Sequence, residues 1–130
     1  MARAGAPARQ AEELGGLGQD PRRDLSVPLP VEVQRPDGST RHEYAVNVSS
    51  SGLCLHTRSP FSIGEEVRIA FRLPSDEREI RAVCKVVWTS HAGERPPIPR
   101  CFETGLFLVE VTEADAQRIA FFVSAQVDRR

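Results

Sequence analysis

The sequence predicts a mainly β protein of the α+β class, a six-stranded antiparallel β-barrel with a C-terminal α-helix. Two observations lead to this fold class. Between residues 29 and 111, hydrophobic and polar side chains alternate in six short segments separated by turn-forming residues, which is typical of half-buried strands. After residue 112 the hydrophobic spacing changes to that of a helix. A sheet of this size hides its edges best by curling into a barrel, with the helix covering an open end or side.

Length and composition indicate one globular domain. The chain has 130 residues, of which 40% are hydrophobic and 27% are charged, as in an ordinary globular protein. The net charge of -1 argues against a broad electrostatic interaction with nucleic acid or an anionic membrane. Hydrophobic runs fall short of the ~20 residues that cross a bilayer, and the N-terminus lacks a signal-peptide pattern. We therefore expect a cytoplasmic protein without membrane insertion.

The N-terminal residues differ from the rest of the chain. Residues 1–21 are rich in alanine and glycine and show no sustained hydrophobic period. Such a composition favours a flexible N-terminal tail. The sequence thus predicts a tail over residues 1–21 and a folded domain over residues 22–127.

The first two strands form a predicted hairpin. Leu29, Val31 and Val33 alternate with polar residues along the first strand. Residues 36–39 read Pro-Asp-Gly-Ser, a turn in which proline presets one φ angle and glycine allows a positive one. The second strand is predicted over about 41–48, and its expected buried face is Tyr44, Val46 and Val48.

Two further strands follow after short connections. A tight connection over residues 49–52 leads to a third strand that opens with Leu53 and Leu55. A turn over residues 59–64 precedes the fourth strand, in which hydrophobic residues alternate from Val67 to Leu73.

The last two strands are separated by a predicted loop. The fifth strand carries an apolar row of Ile80, Ala82, Cys84, Val86 and Trp88. Residues 92–100 contain one glycine and three prolines and are predicted to be a loop. The sixth strand covers about residues 105–111.

The terminal helix has both a start signal and a hydrophobic face. Thr112 followed by Asp115 resembles a capping box, and the helix is predicted over about residues 113–127. Its apolar stripe follows the i, i+3, i+4, i+7 spacing at Ile119, Phe122, Val123 and Gln126.

No arrangement typical of catalysis or metal binding occurs in the sequence. The sequence contains no G-x-S-x-G motif, no H-E-x-x-H motif and no phosphate-binding glycine loop. The histidines are scattered, and the cysteines are widely spaced, as expected for free thiols that pack as small apolar side chains. We therefore predict no catalytic residue, no metal site and no enzymatic activity. The residues considered were His42, His56, His91, Cys54, Cys84 and Cys101.

Two short polar segments are candidate ligand-binding elements. Arg22 and Arg23 precede the first strand, and guanidinium groups can grip phosphates through paired hydrogen bonds. Asn47, Ser49 and Gly52 connect the second and third strands and supply an amide, a hydroxyl and a backbone that a ligand can approach closely. Each segment also has a plain structural interpretation, the first as a solvated basic kink and the second as a turn.

Together, in this order and on this strand plan, the two segments resemble the PilZ domain family. That family carries R-x-x-x-R before the first strand and [D/N]-x-S-x-x-G after the second. Asn47-x-Ser49-x-x-Gly52 matches completely, whereas the arginine motif matches at Arg22 and has Ser26 at its second position. The resemblance covers about residues 22–123. It implies a six-stranded barrel with a C-terminal helix that binds the bacterial second messenger cyclic di-GMP.

The resemblance also implies roles for individual residues. The motif arginines address the phosphates and guanine edges of cyclic di-GMP, Asn47 a guanine edge, and Ser49 either a phosphate or the turn itself. Ser26 in place of arginine removes a bidentate contact worth ~1–3 kcal/mol in related base recognition, roughly a ten- to hundred-fold loss of affinity. Trp88 either continues the apolar row into the core or, if its ring faces the barrel mouth, stacks on a guanine.

Two functions follow from this pattern. In the first, the chain is a cyclic di-GMP receptor that passes a signal to a partner protein by changing its surface. In the second, it is a protein–protein adaptor of PilZ type that no longer binds the nucleotide and regulates motility or polarity. The intact Asn47 motif favours the first function and Ser26 the second. Nucleic-acid binding is disfavoured by the charge and by an aromatic content of 6%.

Overall fold

The computed structural model describes residues 22–95 and 98–128, and burial is described for the side chains of residues 22–91 and 102–125. The predicted tail over residues 1–21 lies outside the described residues. Six strands precede one helix: β1 (Arg22–Gln34), β2 (Thr40–Ser49), β3 (Gly52–Thr57), β4 (Glu66–Phe71), β5 (Ile80–Arg95), β6 (Ile98–Glu110) and α1 (Glu113–Asp128).

The six strands form a closed antiparallel barrel in the order β1-β2-β3-β6-β5-β4. Closure comes from pairing between β1 and β4, in which Val31 lies opposite Phe71 and Val33 opposite Ile69. These four side chains alternate inward along their strands and are almost fully buried. The predicted barrel is confirmed. Hydrophobic residues alternate in the same phase on β1 and β4, so the two paired strands turn the same side toward the barrel interior.

The helix packs its apolar stripe on the barrel. Ile119, Phe122 and Val123 are buried in the same core as the strand residues. The helix begins where the sequence predicts, because the Thr112 hydroxyl accepts a hydrogen bond from the Asp115 amide at 3.1 Å. Within the described part of the chain, no helix is long and apolar enough to cross a membrane.

A charged contact fixes the helix against the turn between β4 and β5. The Arg118 guanidinium donates to the Asp76 carboxylate at 2.6 Å and to the carbonyl oxygen of Arg78 at 2.7 Å. It also reaches Asp115, one turn earlier on the helix, at 2.6 Å. The hydrogen bond from Arg118 holds the pKa of Asp76 below its usual value. This cluster joins two segments that are distant in sequence.

The prediction for the buried face of β2 is wrong in its first half. Tyr44 is 43% exposed, whereas Glu43 and Ala45 point inward. Glu43 lies opposite the buried Val31 of β1, and cross-strand partners share a face of the sheet. The register with β1 therefore overrides the polarity of Glu43, and burial raises the pKa of its carboxyl group. The register between β2 and β3 shifts between Ala45 and Asn47, and beyond this shift Val48 is buried, as predicted.

The predicted ends of three strands also differ from the structure. β1 begins at Arg22 rather than near Leu29, with an irregularity between Asp24 and Leu29 in its pairing with β2. Most of the predicted loop over residues 92–100 belongs to strands, because β5 continues to Arg95 and β6 begins at Ile98, and residues 96 and 97 lie outside the described residues. Register shifts between His91 and Arg95 allow β5 to pair with the part of β6 that contains Pro99.

Candidate functional site

A cavity of about 220 Å³ lies on the barrel where β1, β2, β3, β5 and β6 contribute side chains. It brings together five of the seven predicted site residues, from Arg22 near the start of the chain to Trp88 on β5. Its lining residues are Arg22, Val46, Asn47, Ser49, Gly52, Leu53, Cys54, Trp88 and Glu103.

Strand pairing brings the two predicted motifs together. The first residues of β1 pair with the end of β2, so that Arg22 lies opposite Ser49 and Asp24 opposite Asn47. Cross-strand partners lie on the same face of the sheet, which places the Arg22 side chain beside the connection between β2 and β3. The Arg22 side chain is 45% exposed, and its ion pair with the largely exposed Asp24 is long, at 3.9 Å. Such a pair contributes little to stability and leaves the guanidinium available to a ligand.

Arg23 lies on the opposite side of β1. Adjacent strand residues point to opposite faces, and Arg23 pairs with the buried Val48 rather than with a cavity residue. Its guanidinium carbon lies 4.0 Å from the ring centroid of Phe122 on α1, and Nη1 donates to the Phe122 carbonyl oxygen at 3.2 Å. The structure therefore does not bring Arg23 into the cavity with Arg22 but uses it to tie β1 to the helix.

Ser26 is exposed, in the irregular part of β1 between Asp24 and Leu29, and it does not line the cavity. A serine hydroxyl is short and uncharged. Among the predicted motif positions on β1, Arg22 thus supplies the positive charge of the cavity.

Ser49 and Gly52 hold the connection between β2 and β3. The buried Ser49 hydroxyl accepts hydrogen bonds from the amides of Ser51 at 3.2 Å and Gly52 at 3.1 Å. It also lies 3.3 Å from the Gly52 carbonyl oxygen, to which it can donate. Of the two roles considered for Ser49, the structure shows the fixing of the turn.

Close packing of β3 against β6 requires a glycine at position 52. A Cβ atom at Gly52 would overlap the carbonyl oxygen of Leu106 on β6. The absence of a side chain lets β3 approach β6 and places the Gly52 backbone in the wall of the cavity.

Trp88 lies in the cavity wall and not in the buried core, so the interpretation that extends the apolar row to Trp88 is wrong. Val86 is fully buried, but the pairing of β5 with β6 shifts between Val86 and Trp88 and changes which side the next residues face. Trp88 is half-buried and its indole occupies the space over Gly105, where a Cβ atom would overlap the ring. An aromatic ring in the wall can stack on a base.

Glu103 also lines the cavity, although it is not among the site residues predicted from the sequence. Glu103 contributes a partly exposed carboxylate to the cavity, and one of its oxygens lies 3.4 Å from Nε2 of His56 on β3. The two residues are direct cross-strand partners. Local sequence gives no signal for this placement, because it depends on the pairing of β6 with β3.

Of the other histidines and cysteines considered in the sequence, Cys54 lies in the cavity wall and the rest do not line the cavity in the described part of the chain. His42 and His91 are exposed. Cys54 and Cys84 are buried cysteines, and burial raises the pKa of Cys84 to about 12, which leaves its thiol protonated and unreactive. The side chain of Cys101 lies outside the described residues. Within the described ranges, no three potential metal ligands come together.

The cavity thus combines one arginine, one amide, one carboxylate and one indole in a small space. A cation and a polar amide suit a phosphate and the edge of a base, and the indole suits the face of a base. This chemistry fits a nucleotide.

Comparison with solved structures shows the same fold in several proteins. Bacillus subtilis inhibitor of motility (MotI/DgrA) matches with a TM-score of 0.69 and 23% identity, over 86% of this chain and 52% of that one. The PilZ domain of YcgR from Escherichia coli, solved with cyclic di-GMP, matches with a TM-score of 0.65 and 13% identity, over 84% and 91%. Borreliella burgdorferi PlzA in complex with cyclic di-GMP matches with a TM-score of 0.61 and 14% identity, over 95% and 58%.

This chain therefore spans about half the length of the MotI chain. A search of the curated proteins found no match. The family model described as PilZ domain matches residues 18–125, which is most of the chain, and this range contains every strand of the barrel and most of the helix. The chain belongs to the PilZ domain family.

Proposed function

We propose that this protein is a non-enzymatic bacterial receptor for cyclic di-GMP, acting in the cytoplasm, that passes the signal to a partner protein. One observation carries the proposal: the pairing of β1 with β2 places Arg22 opposite Ser49 and in one cavity with Asn47, Gly52 and Trp88. Two structural neighbours, YcgR and PlzA, were solved with cyclic di-GMP, which supports the ligand class.

In this proposal each cavity residue has a defined role. Arg22 grips a phosphate through paired hydrogen bonds, Asn47 contacts a guanine edge, and Trp88 stacks on a guanine face. Ser49 and Gly52 keep the connection in the shape that admits the ligand. The cavity of about 220 Å³ is smaller than the ~300–1,000 Å³ of typical ligand pockets. It suits one base, with the rest of the dinucleotide on the surface around Arg22.

The path to a partner protein runs through β1. Arg22 and Arg23 are adjacent, and Arg23 contacts the ring and the carbonyl oxygen of Phe122 on α1. A ligand that moves Arg22 would strain the contact that Arg23 makes with the helix. The neighbour named as an inhibitor of motility supports motility as a process that such a signal could control.

Calorimetric titration with cyclic di-GMP tests the proposal. We expect wild-type binding in the micromolar range, and a loss of roughly ten-fold or more in Arg22→Ala, because a charge-assisted contact is worth about 1.5–3 kcal/mol. Arg68→Ala, an exposed arginine of β4 outside the cavity, is the matched control and should bind as the wild type does. Equal affinity of wild type and Arg22→Ala would overturn the assignment of the cavity.

A second candidate function is a protein–protein adaptor that does not bind the nucleotide. Two observations favour it: Arg23 contacts Phe122 instead of the cavity, and the uncharged Ser26 stands at the second arginine position of the motif. Arg22 is therefore the motif residue that brings positive charge into the cavity. Absence of binding to the wild-type protein, together with binding by Ser26→Arg, would select this function.

A further inference from the structure

Glu103 is unexpected in a cavity that binds an anionic ligand. Its side chain is 38% exposed and lines the same cavity as Arg22 and Trp88. A carboxylate that faced a phosphate would repel it. If the cavity binds a nucleotide, as proposed above, Glu103 must therefore face the part of the ligand that carries hydrogen-bond donors.

The register of the strands separates Glu103 from Arg22. Asn47, Cys54, Gly105 and Trp88 are successive cross-strand partners and form one row across β2, β3, β6 and β5. Glu103 lies two residues beyond this row, about 7 Å along β6, on the same face as Gly105. Arg22 pairs with Ser49, two residues from Asn47 in the other direction.

The row that holds the indole thus lies between a cation and a carboxylate. We infer that Glu103 selects guanine, with its carboxylate accepting hydrogen bonds from the N1–H and the N2 amino group of a base stacked on Trp88. This inference rests on the proposed nucleotide-binding function. A carboxylate is an acceptor with two oxygens, and the Watson–Crick edge of guanine presents two adjacent donors. Arg22, on the other side of the row, then meets the phosphate.

The same geometry discriminates against adenine. Adenine has an acceptor at N1, which a carboxylate repels, and it lacks the N2 amino group. A site built around a hydrogen-bonding edge rejects an analogue that leaves its polar groups unpaired.

His56 is a positioning residue for this carboxylate. Its Nε2 lies 3.4 Å from Oε2 of Glu103, and the two residues face each other across the β3–β6 ladder. The contact limits the directions that the Glu103 side chain can take, with the other oxygen and lone pairs left for the base.

Three ligands and two matched variants test the inference by titration: cyclic di-GMP, the inosine analogue that lacks the N2 amino group, and cyclic di-AMP. The variants are Glu103→Gln and, as control, Glu110→Gln, which makes the same chemical change on the same strand outside this cavity. We expect the wild type and Glu110→Gln to prefer the guanine ligand over the inosine ligand by about 10-fold. Glu103→Gln should weaken cyclic di-GMP binding by about 10- to 100-fold and reduce its preference over both analogues.

The outcomes separate this inference from the function on which it rests. Wild-type binding with an unchanged guanine preference in Glu103→Gln would overturn the role of Glu103 and leave the receptor function standing. Tighter binding by Glu103→Gln would show instead that the carboxylate opposes the phosphates. No binding of any ligand to the wild type would remove both the receptor function and the inference.

Discussion

Arg22 and Arg23 show how one residue step on a strand separates two roles. Arg22 lines the cavity, and Arg23 lies with its guanidinium carbon 4.0 Å from the ring centroid of Phe122. Because successive strand residues point to opposite faces, neither arginine can take the place of the other without a change of register. A single side chain therefore carries the positive charge of β1 into the cavity, while its neighbour holds the helix.

Gly105 is the residue on which the position of Trp88 depends. We predict that Gly105→Ala displaces the indole, because a Cβ atom there would overlap Nε1 and two carbons of the ring. Overpacking of this kind costs about 1–3 kcal/mol of folding free energy. Trp88 is the single tryptophan of the chain, so its emission reports on this site alone and should shift to longer wavelength as the ring moves toward solvent.

Gly38→Ala is the control for this substitution. Gly38 lies in the turn between β1 and β2 with φ of +90°, and alanine there strains the backbone without approaching Trp88. It should lower the free energy of unfolding and leave the emission unchanged. Unchanged emission in Gly105→Ala would show that the indole does not depend on the glycine.

At the scale of elements, an ion pair joins the turn after β1 to the connection before β4. The Arg35 guanidinium donates to both oxygens of the Glu65 carboxylate, at 2.7 and 2.8 Å, and lies 4.4 Å from the ring centroid of Phe61. Paired geometry and low exposure make this contact stronger than an ordinary surface pair. It supports the closure of the barrel, because β1 and β4 are the strands that close it.

The Arg35–Glu65 pair predicts a specific loss of stability in acid. Hydrogen bonds from Arg35 hold the pKa of Glu65 below its ordinary value of 4.5. The pair therefore contributes stability that is fully present above pH 4.5 and is lost as the pH falls through the lowered pKa of the folded state. Glu65→Gln should cost about 1–2 kcal/mol at pH 7 and progressively less below pH 4.5.

Urea unfolding at pH 7 and at pH 3 measures this difference. Glu66→Gln is the matched control, since Glu66 is the exposed neighbour at the start of β4 and should change stability little at either pH. A cost of Glu65→Gln that is the same at both pH values would mean that its charge does not support the fold.

For the whole molecule, the barrel and the helix share one core, so we predict that they unfold together. Ile119 is fully buried between α1 and the strands, and Ile119→Ala should cost about 2–5 kcal/mol. Helical circular dichroism and Trp88 fluorescence should lose their native signals at the same denaturant concentration. Phe121→Ala, on the same helix but 74% exposed, should shift neither transition appreciably. Loss of the helix signal before the fluorescence signal would show that the helix is a separate unit.

The sequence predicts the number and order of the elements better than it predicts where the strands begin and end. Six strands, their order along the chain and the helix start at Thr112 follow from local patterns, because alternation and capping depend on neighbouring residues. The early start of β1 and the continuation of β5 to Arg95 could not be predicted, because they depend on pairing with distant partners. Burial of Glu43 has the same cause, since Val31 lies opposite it.

Local sequence patterns were enough to predict the family and most residues of the candidate site. Arg22, Asn47, Ser49 and Gly52 stand out by residue type and spacing, which do not depend on the rest of the fold. The contact of Arg23 with the helix and the positions of Trp88 and Glu103 in the cavity depend on the folded chain. They depend on strand register, because one extra residue in a ladder moves every following side chain to the other face, and the pairing of distant strands determines where that residue is inserted.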